Sequence, residues 1–270
     1  MMRVLRRIAL ACALLLPAAA RAQEPVRLVA AGSLTASLGE VAQAFAAMPG
    51  GAPVVTRFGP SGLMREGIEA GAIPADVFFS ASLDHAQRLE RDGRTVAPAV
   101  IFVRNRLCLI TRPGLTVPTG QVLDALLDSA VKLGTSTPRA DPSGDYAWAL
   151  FRRAELLRPG AQAALEAKAL QLVGGPNSPT PPAGIGAVAW NFRAGRMDVF
   201  LGYCTSGALA RAELPGIGVQ DLPEALAVGA DYGMALLSGR PEAVRLSLFA
   251  LSPAGQAILA RHGFAAVAAE

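Results

Sequence analysis

The chain has 270 residues, 52% of them hydrophobic and 17% charged, enough apolar matter for one large domain or two small lobes and too much for a disordered chain. Its 28 glycines and 20 prolines stay below a low-complexity share. The formal charge of +4 resides in Arg3, Arg6, Arg7 and Arg21, because the remaining basic residues equal the 21 acidic ones in number; a neutral chain has no electrostatic footprint for nucleic acid.

The N-terminus reads as an address. Three arginines precede an uncharged apolar stretch over 8–20, and Ala20-Arg21-Ala22 places small residues at −3 and −1. That order predicts a secretory signal over 1–22, cleaved before Gln23, and a soluble exported protein. The apolar stretch is shorter than the about 20 residues that span a bilayer. Arg6-Arg7 and Cys12 fit twin-arginine and lipoprotein signals poorly.

Apolar runs over 26–30, 54–58 and 75–79 predict strands, each followed by a helical pattern, at 34–45, 63–69 and 83–91. Alternating strand and helix indicates an α/β lobe with a mainly parallel sheet, whose ligands sit where strand ends meet helix N-termini. The run over 100–111 is strand-like, with Arg104-Asn105-Arg106 as a polar break where the chain crosses between lobes. A second α/β set follows: a helix at 122–127, a strand at 132–134, a helix at 146–153 after Pro142-Ser143-Gly144, a proline-rich loop over 176–182, a helix at 183–194 and a strand at 199–203. A returning strand at 232–237 and helices at 242–251 and 254–262 close the first lobe. The lobes are therefore 23–104 with 231–270, and 105–230.

Chemistry is sparse. Gly59-Pro60-Ser61-Gly62 is not a nucleophile elbow, and with His85 and His262 far apart in the sequence a serine triad is poorly supported, which leaves a secreted hydrolase without a base. There is no dinucleotide or Walker loop, hence no cofactor. Cys108 and Cys204 have no C-x-x-C spacing; an oxidising compartment permits a bridge, but the sequence alone reads them as buried free thiols. What recurs is a serine at a strand-to-helix turn: Ser33, Ser61 and Ser143. Each serves either as an ordinary N-cap or as a donor into a shared crevice, alongside free backbone N–H groups and the helix dipole.

At these turns the chain resembles a known family. Ala30-Ala31-Gly32-Ser33-Leu34-Thr35, Phe58-Gly59-Pro60-Ser61-Gly62, the stretch from Pro74 to Ala81, and Pro142-Ser143-Gly144-Asp145-Tyr146-Ala147 are similar to the molybdate-binding periplasmic proteins of ABC importers, in the same order over most of 26–265. The resemblance implies a two-lobed periplasmic-binding-protein fold that closes on molybdate or tungstate, works as a monomer and delivers to a membrane permease. It implies hydroxyl and backbone donors at Ser33 and Ser61, a backbone donor at Ser143, another at Ile185 beside the start of a helix, and a phenol at Tyr203. Two features depart from the family: the loop 177–182 is long, and Asp145 stands where the family has a neutral residue. Asp145 reads as an outward-facing first-turn acid. If it faces inward, the solute is a different oxyanion or a metal ion held by carboxylates such as Asp141 and Asp145.

Overall fold

The structure, a computed structural model, describes residues 24–267. The signal over 1–22 and its cleavage before Gln23 lie outside the described residues. Strand β1 (Val26–Ala31) runs through a 3-10 turn (Gly32–Leu34) into α1 (Thr35–Ala46). β2 (Val54–Gly59) leads to α2 (Ser61–Glu69), and β3 (Val77–Ser80) to α3 (Leu83–Arg91). β1 pairs in parallel with β2 on one side and β3 on the other. β1 and β3 are apolar runs because helices cover both faces, which leaves nearly every residue buried.

β4 (Val100–Thr111) is the long strand that crosses the molecule. Its first half pairs with β9 (Gly229–Leu236), which in turn pairs with β3; both pairings are antiparallel. Its second half, from Leu107, pairs antiparallel with β7 (Val199–Tyr203) and with the short β8 (Gly218–Asp221). The polar triplet marks the change of partner. Arg104 bonds Asp231 and Arg106 bonds Asp221, both at 2.9 Å, while Asn105 Nδ2 donates to Thr205 Oγ1 at 2.9 Å. Polar residues are tolerated there because each has a partner.

The second set contains α4 (Val122–Leu127), β5 (Leu133–Ser136), α5 (Pro142–Leu157), α6 (Ala161–Lys168), β6 (Leu170–Val173), α7 (Ala187–Arg193) and α8 (Cys204–Glu213). β5 lies parallel between β6 and β7. α9 (Pro241–Leu251) and α10 (Pro253–Arg261) return to the first set, and α10 packs on α1. The strand order is β2-β1-β3-β9-β4-β7-β5-β6. The sheet is thus parallel at both wings, as expected for the two lobes, and antiparallel at the centre where the crossing strands lie. A chain that leaves one set and returns must cross in both directions, and the two crossing strands run opposite ways.

Three further details differ from the sequence reading. The helix expected from 183 begins at Ala187, because the glycine- and proline-rich loop continues through Gly186. α6, α8, β6 and β8 went unread. Cys108 and Cys204 form a disulfide, Cα–Cα 4.9 Å, in place of two free thiols. Cys204 directly follows β7, whose Gly202 pairs with Cys108, so the sheet register itself brings the sulfurs together. At the far end of the sheet, Asp76 is fully buried; its carboxylate binds Arg27 through both the backbone N–H and the guanidinium, and Arg240 at 3.2 Å. Burial pushes its pKa up, but the bonds and charge of Arg27 outweigh that and hold it below the usual carboxylate value.

Candidate functional site

Three strand-to-helix turns face one cavity of about 350 Å³. The first is the 3-10 turn after β1, carrying Ser33. The second is Gly59-Pro60-Ser61 between β2 and α2, where Pro60 occupies the cap position and Ser61 opens the helix. The third lies between β5 and α5, with Asp141 as cap, Pro142 at the first helical position and Ser143 next. Proline is favoured there because its fixed φ suits a helix start and its missing N–H needs no partner.

None of the three serines caps its helix. Ser33 Oγ lies 3.1 Å from Tyr232 OH. Ser61 Oγ accepts from Ala81 N–H at 3.1 Å. Ser143 Oγ is buried and has no partner within the protein. The capping of α5 falls to Asp141, whose Oδ1 accepts from Ser143 N–H at 3.1 Å, so the backbone donor expected at Ser143 is already engaged. Tyr203 closes the wall from the end of β7. It is buried, its hydroxyl also has no protein partner, and its ring lies 5.4 Å from that of Tyr232 and 6.2 Å from that of Tyr146. Burial raises the Tyr203 phenol well above its ordinary pKa and raises Tyr232 too, so both remain protonated donors.

The structure therefore brings Ser33, Ser61, Ser143 and Tyr203 to one cavity. Ile185 does not line it; the neighbouring Gly186 does, and its N–H donates to Glu213 Oε2 at 2.8 Å. Asp145 also stays off the wall, its Oδ1 accepting from Arg139 N–H at 2.9 Å. Two acids also line the wall: Asp141, which the sequence suggests only as a carboxylate of a metal site, and Glu213, which no motif singles out. The Asp-Pro pair at a helix start signals a cap at Asp141. Glu213 shares one face of α8 with Ser206, Leu209 and Ala210, a spacing that signals a helix side.

No lysine or arginine lines the cavity. Its polar wall consists of hydroxyls and helix N-termini, with Asp141 and Glu213 as the acids. Burial lifts the Asp141 carboxyl to about 6, against the lowering effect of the Ser143 N–H and the Ser136 hydroxyl, and Asp145 nearby adds to the lift. Gly174, at φ +72°, packs on this carboxylate, and a side chain there would overlap its Oδ2. Across the cleft, Gly62 N–H donates to Ala140 C=O at 2.9 Å and Tyr146 OH to Ala81 C=O at 3.3 Å. These bonds tie the first set of elements to the second at the rim. Among the described residues, the His, Cys, Asp and Glu side chains grouped closely enough for a metal are Cys108, Cys204 and Asp221, and both sulfurs are spent in the disulfide.

The sequence profile of a family described as bacterial extracellular solute-binding protein matches residues 26–265. The protein PM1146 of Pasteurella multocida is 38% identical over 214 residues, covering 78% of this chain and 86% of its own. The molybdate-binding protein ModA of Haemophilus influenzae is 33% identical over 132 residues, 47% of this chain and 51% of its own. Among solved structures, the sulfate-binding protein SubI of Mycobacterium tuberculosis superposes with a TM-score of 0.75 at 18% identity, covering 91% of this chain and 88% of its own. The periplasmic molybdate-binding protein of Azotobacter vinelandii superposes with a TM-score of 0.70 at 22% identity, covering 91% and 100%. At such identities the two structures establish a shared fold.

Proposed function

Since this chain belongs to the bacterial extracellular solute-binding family, we propose that it is the exported, periplasmic receptor of an ABC importer and holds a molybdate- or tungstate-type oxyanion in the cavity. One observation carries the reading: two buried hydroxyls without protein partners, Ser143 Oγ and Tyr203 OH, share a cavity with Ser33 and Ser61 and no cationic side chain. A buried polar group without a partner costs about 1–3 kcal/mol, and an oxyanion supplies the missing acceptor. Neutral donors at helix N-termini suit a dehydrated anion because their dipoles are already oriented.

In this reading the lobes are 23–104 with 231–270, and 105–230, so the chain crosses between them within β4 and returns within β9. Closure of the lobes on the solute is a hinge motion, and the closed monomer presents both lobes to the permease. A metal receptor using Asp145 has less support, because that carboxylate serves Arg139 N–H off the cavity wall. Calorimetry on the purified mature protein tests the reading. Molybdate is expected to bind with submicromolar affinity, ahead of sulfate. No heat with any oxyanion, together with a divalent-cation signal abolished by Asp145→Asn, would replace it with the metal reading.

A further inference from the structure

An acid on the wall of an anion site needs an explanation. Asp141 lines the cavity beside Ser143 Oγ and Tyr203 OH, and no lysine or arginine on the wall neutralises it. Its Oδ1 accepts from Ser143 N–H and the Ser136 hydroxyl also bonds the carboxylate, while Oδ2 borders Gly174, itself a wall residue. A carboxylate in this position repels a dianion, whereas a carboxylic acid offers it one more donor.

Resting on the oxyanion reading above, the geometry points to Asp141 as a specificity-determining residue: it binds the oxyanion in its acid form, Oδ1 still accepting from Ser143 N–H while the Oδ2 hydroxyl donates to a ligand oxygen. Each binding event by a proton-free dianion then takes up one proton from solvent onto Oδ2, and release returns it. Burial favours the neutral acid, as the rise of this carboxyl to about 6 reflects. In the empty site at neutral pH the group is mostly ionised, so affinity must fall as pH rises.

The other titratable groups facing Asp141 do not account for such a slope between about pH 6.5 and 8.5. Tyr203 and Tyr146 are buried phenols raised above their ordinary value. Asp145, on the same helix, is raised by burial but bonds Arg139 N–H. Glu213, across the cavity, bonds Gly186 N–H. Ser136 and Thr137 contribute only hydroxyls.

The test is calorimetric titration with molybdate, which carries no proton across this window, in buffers of differing ionisation enthalpy. For the unmodified protein, Kd is expected to rise by about tenfold per pH unit above neutrality, with uptake of about one proton per ligand. Asp141→Asn keeps the cap, since asparagine caps as well as aspartate, and keeps a side-chain donor. It is expected to abolish both the slope and the proton uptake and to bind more tightly than the parent at pH 8.5. Glu213→Gln and Asp145→Asn are expected to retain the slope. A parent Kd that does not vary with pH, or a slope that persists in Asp141→Asn or disappears in Glu213→Gln, overturns the role of Asp141 and leaves the oxyanion reading standing. Absence of molybdate binding by parent and Asp141→Asn at every pH overturns the oxyanion reading, and this proposal with it.

Discussion

Tyr203→Phe separates a ligand-facing phenol from a core tyrosine, because the two roles predict opposite pairs of effects. The Tyr203 hydroxyl is buried and has no protein partner, so deleting it orphans nothing. Stability of the unliganded protein should therefore be unchanged or higher. An unmade bond at a buried polar atom costs about 1–3 kcal/mol, and a chain of this size gains about 2–4 °C in Tm per kcal/mol. Ligand affinity should move the other way. A hydrogen bond to a charged group contributes about 1.5–3 kcal/mol, so Kd for molybdate should rise by about tenfold to a hundredfold or slightly more. The phenyl ring remains and keeps its edge contacts with Tyr146 and Tyr232, so packing does not confound the comparison. Differential scanning fluorimetry without ligand and calorimetry with molybdate supply the two numbers. A variant that melts several degrees lower and binds as tightly as the parent would refute the reasoning and return Tyr203 to the core.

Ser61→Ala should lower both quantities, since Ala81 N–H loses its buried acceptor: Kd rises about tenfold to a hundredfold and unliganded stability falls by about 1–3 kcal/mol, read by the same two assays. The disulfide Cys108–Cys204 closes a loop with a sequence separation of 96, so Cys108→Ala/Cys204→Ala should lose about 2–5 kcal/mol in urea denaturation, and an unchanged midpoint would contradict the bridge. Asp76→Asn should cost about 2–3 kcal/mol at pH 7 through its charged bonds to Arg27 and Arg240. Because the folded pKa of Asp76 lies below the unfolded one, that stabilisation is present above the ordinary carboxylate value and disappears as pH falls through the folded value. The gap between parent and Asp76→Asn should accordingly narrow in acid, and a gap that widens would contradict it. N-terminal sequencing of the exported protein is expected to return Gln23; recovery of Met1 would contradict cleavage there.

Much of the fold could be read in the sequence, for physical reasons. β1 and β3 are buried except at Arg27, so they appear as mostly apolar runs bounded by Gly, Pro or Ser. The crossing strand was legible because a polar triplet inside an apolar run needs partners, and Asp231, Asp221 and Thr205 supply them. α8 was hidden because Cys204-Thr205-Ser206-Gly207 opens it without a capping side chain. The disulfide was hidden because its cysteines meet only through the β4–β7 register, which no local pattern encodes. Ser33, Ser61 and Tyr203 stood out by motif and position. Asp141 carried no such motif and entered only beside Asp145, the first-turn acid of α5, as a carboxylate of a metal site. The structure reverses the two: Asp141 faces the cavity and Asp145 serves the Arg139 backbone.

Crystals of the mature protein grown with molybdate, measured at a wavelength where molybdenum scatters anomalously, locate the ligand without assuming its site. The expected result is one strong peak in the cavity, with its oxygens within about 2.5–3.2 Å of Ser33, Ser61, Ser143 and Tyr203 donors. A peak elsewhere on the molecule, or no peak from crystals in which the two lobes have closed, would contradict the claim that these hydroxyls form an oxyanion site.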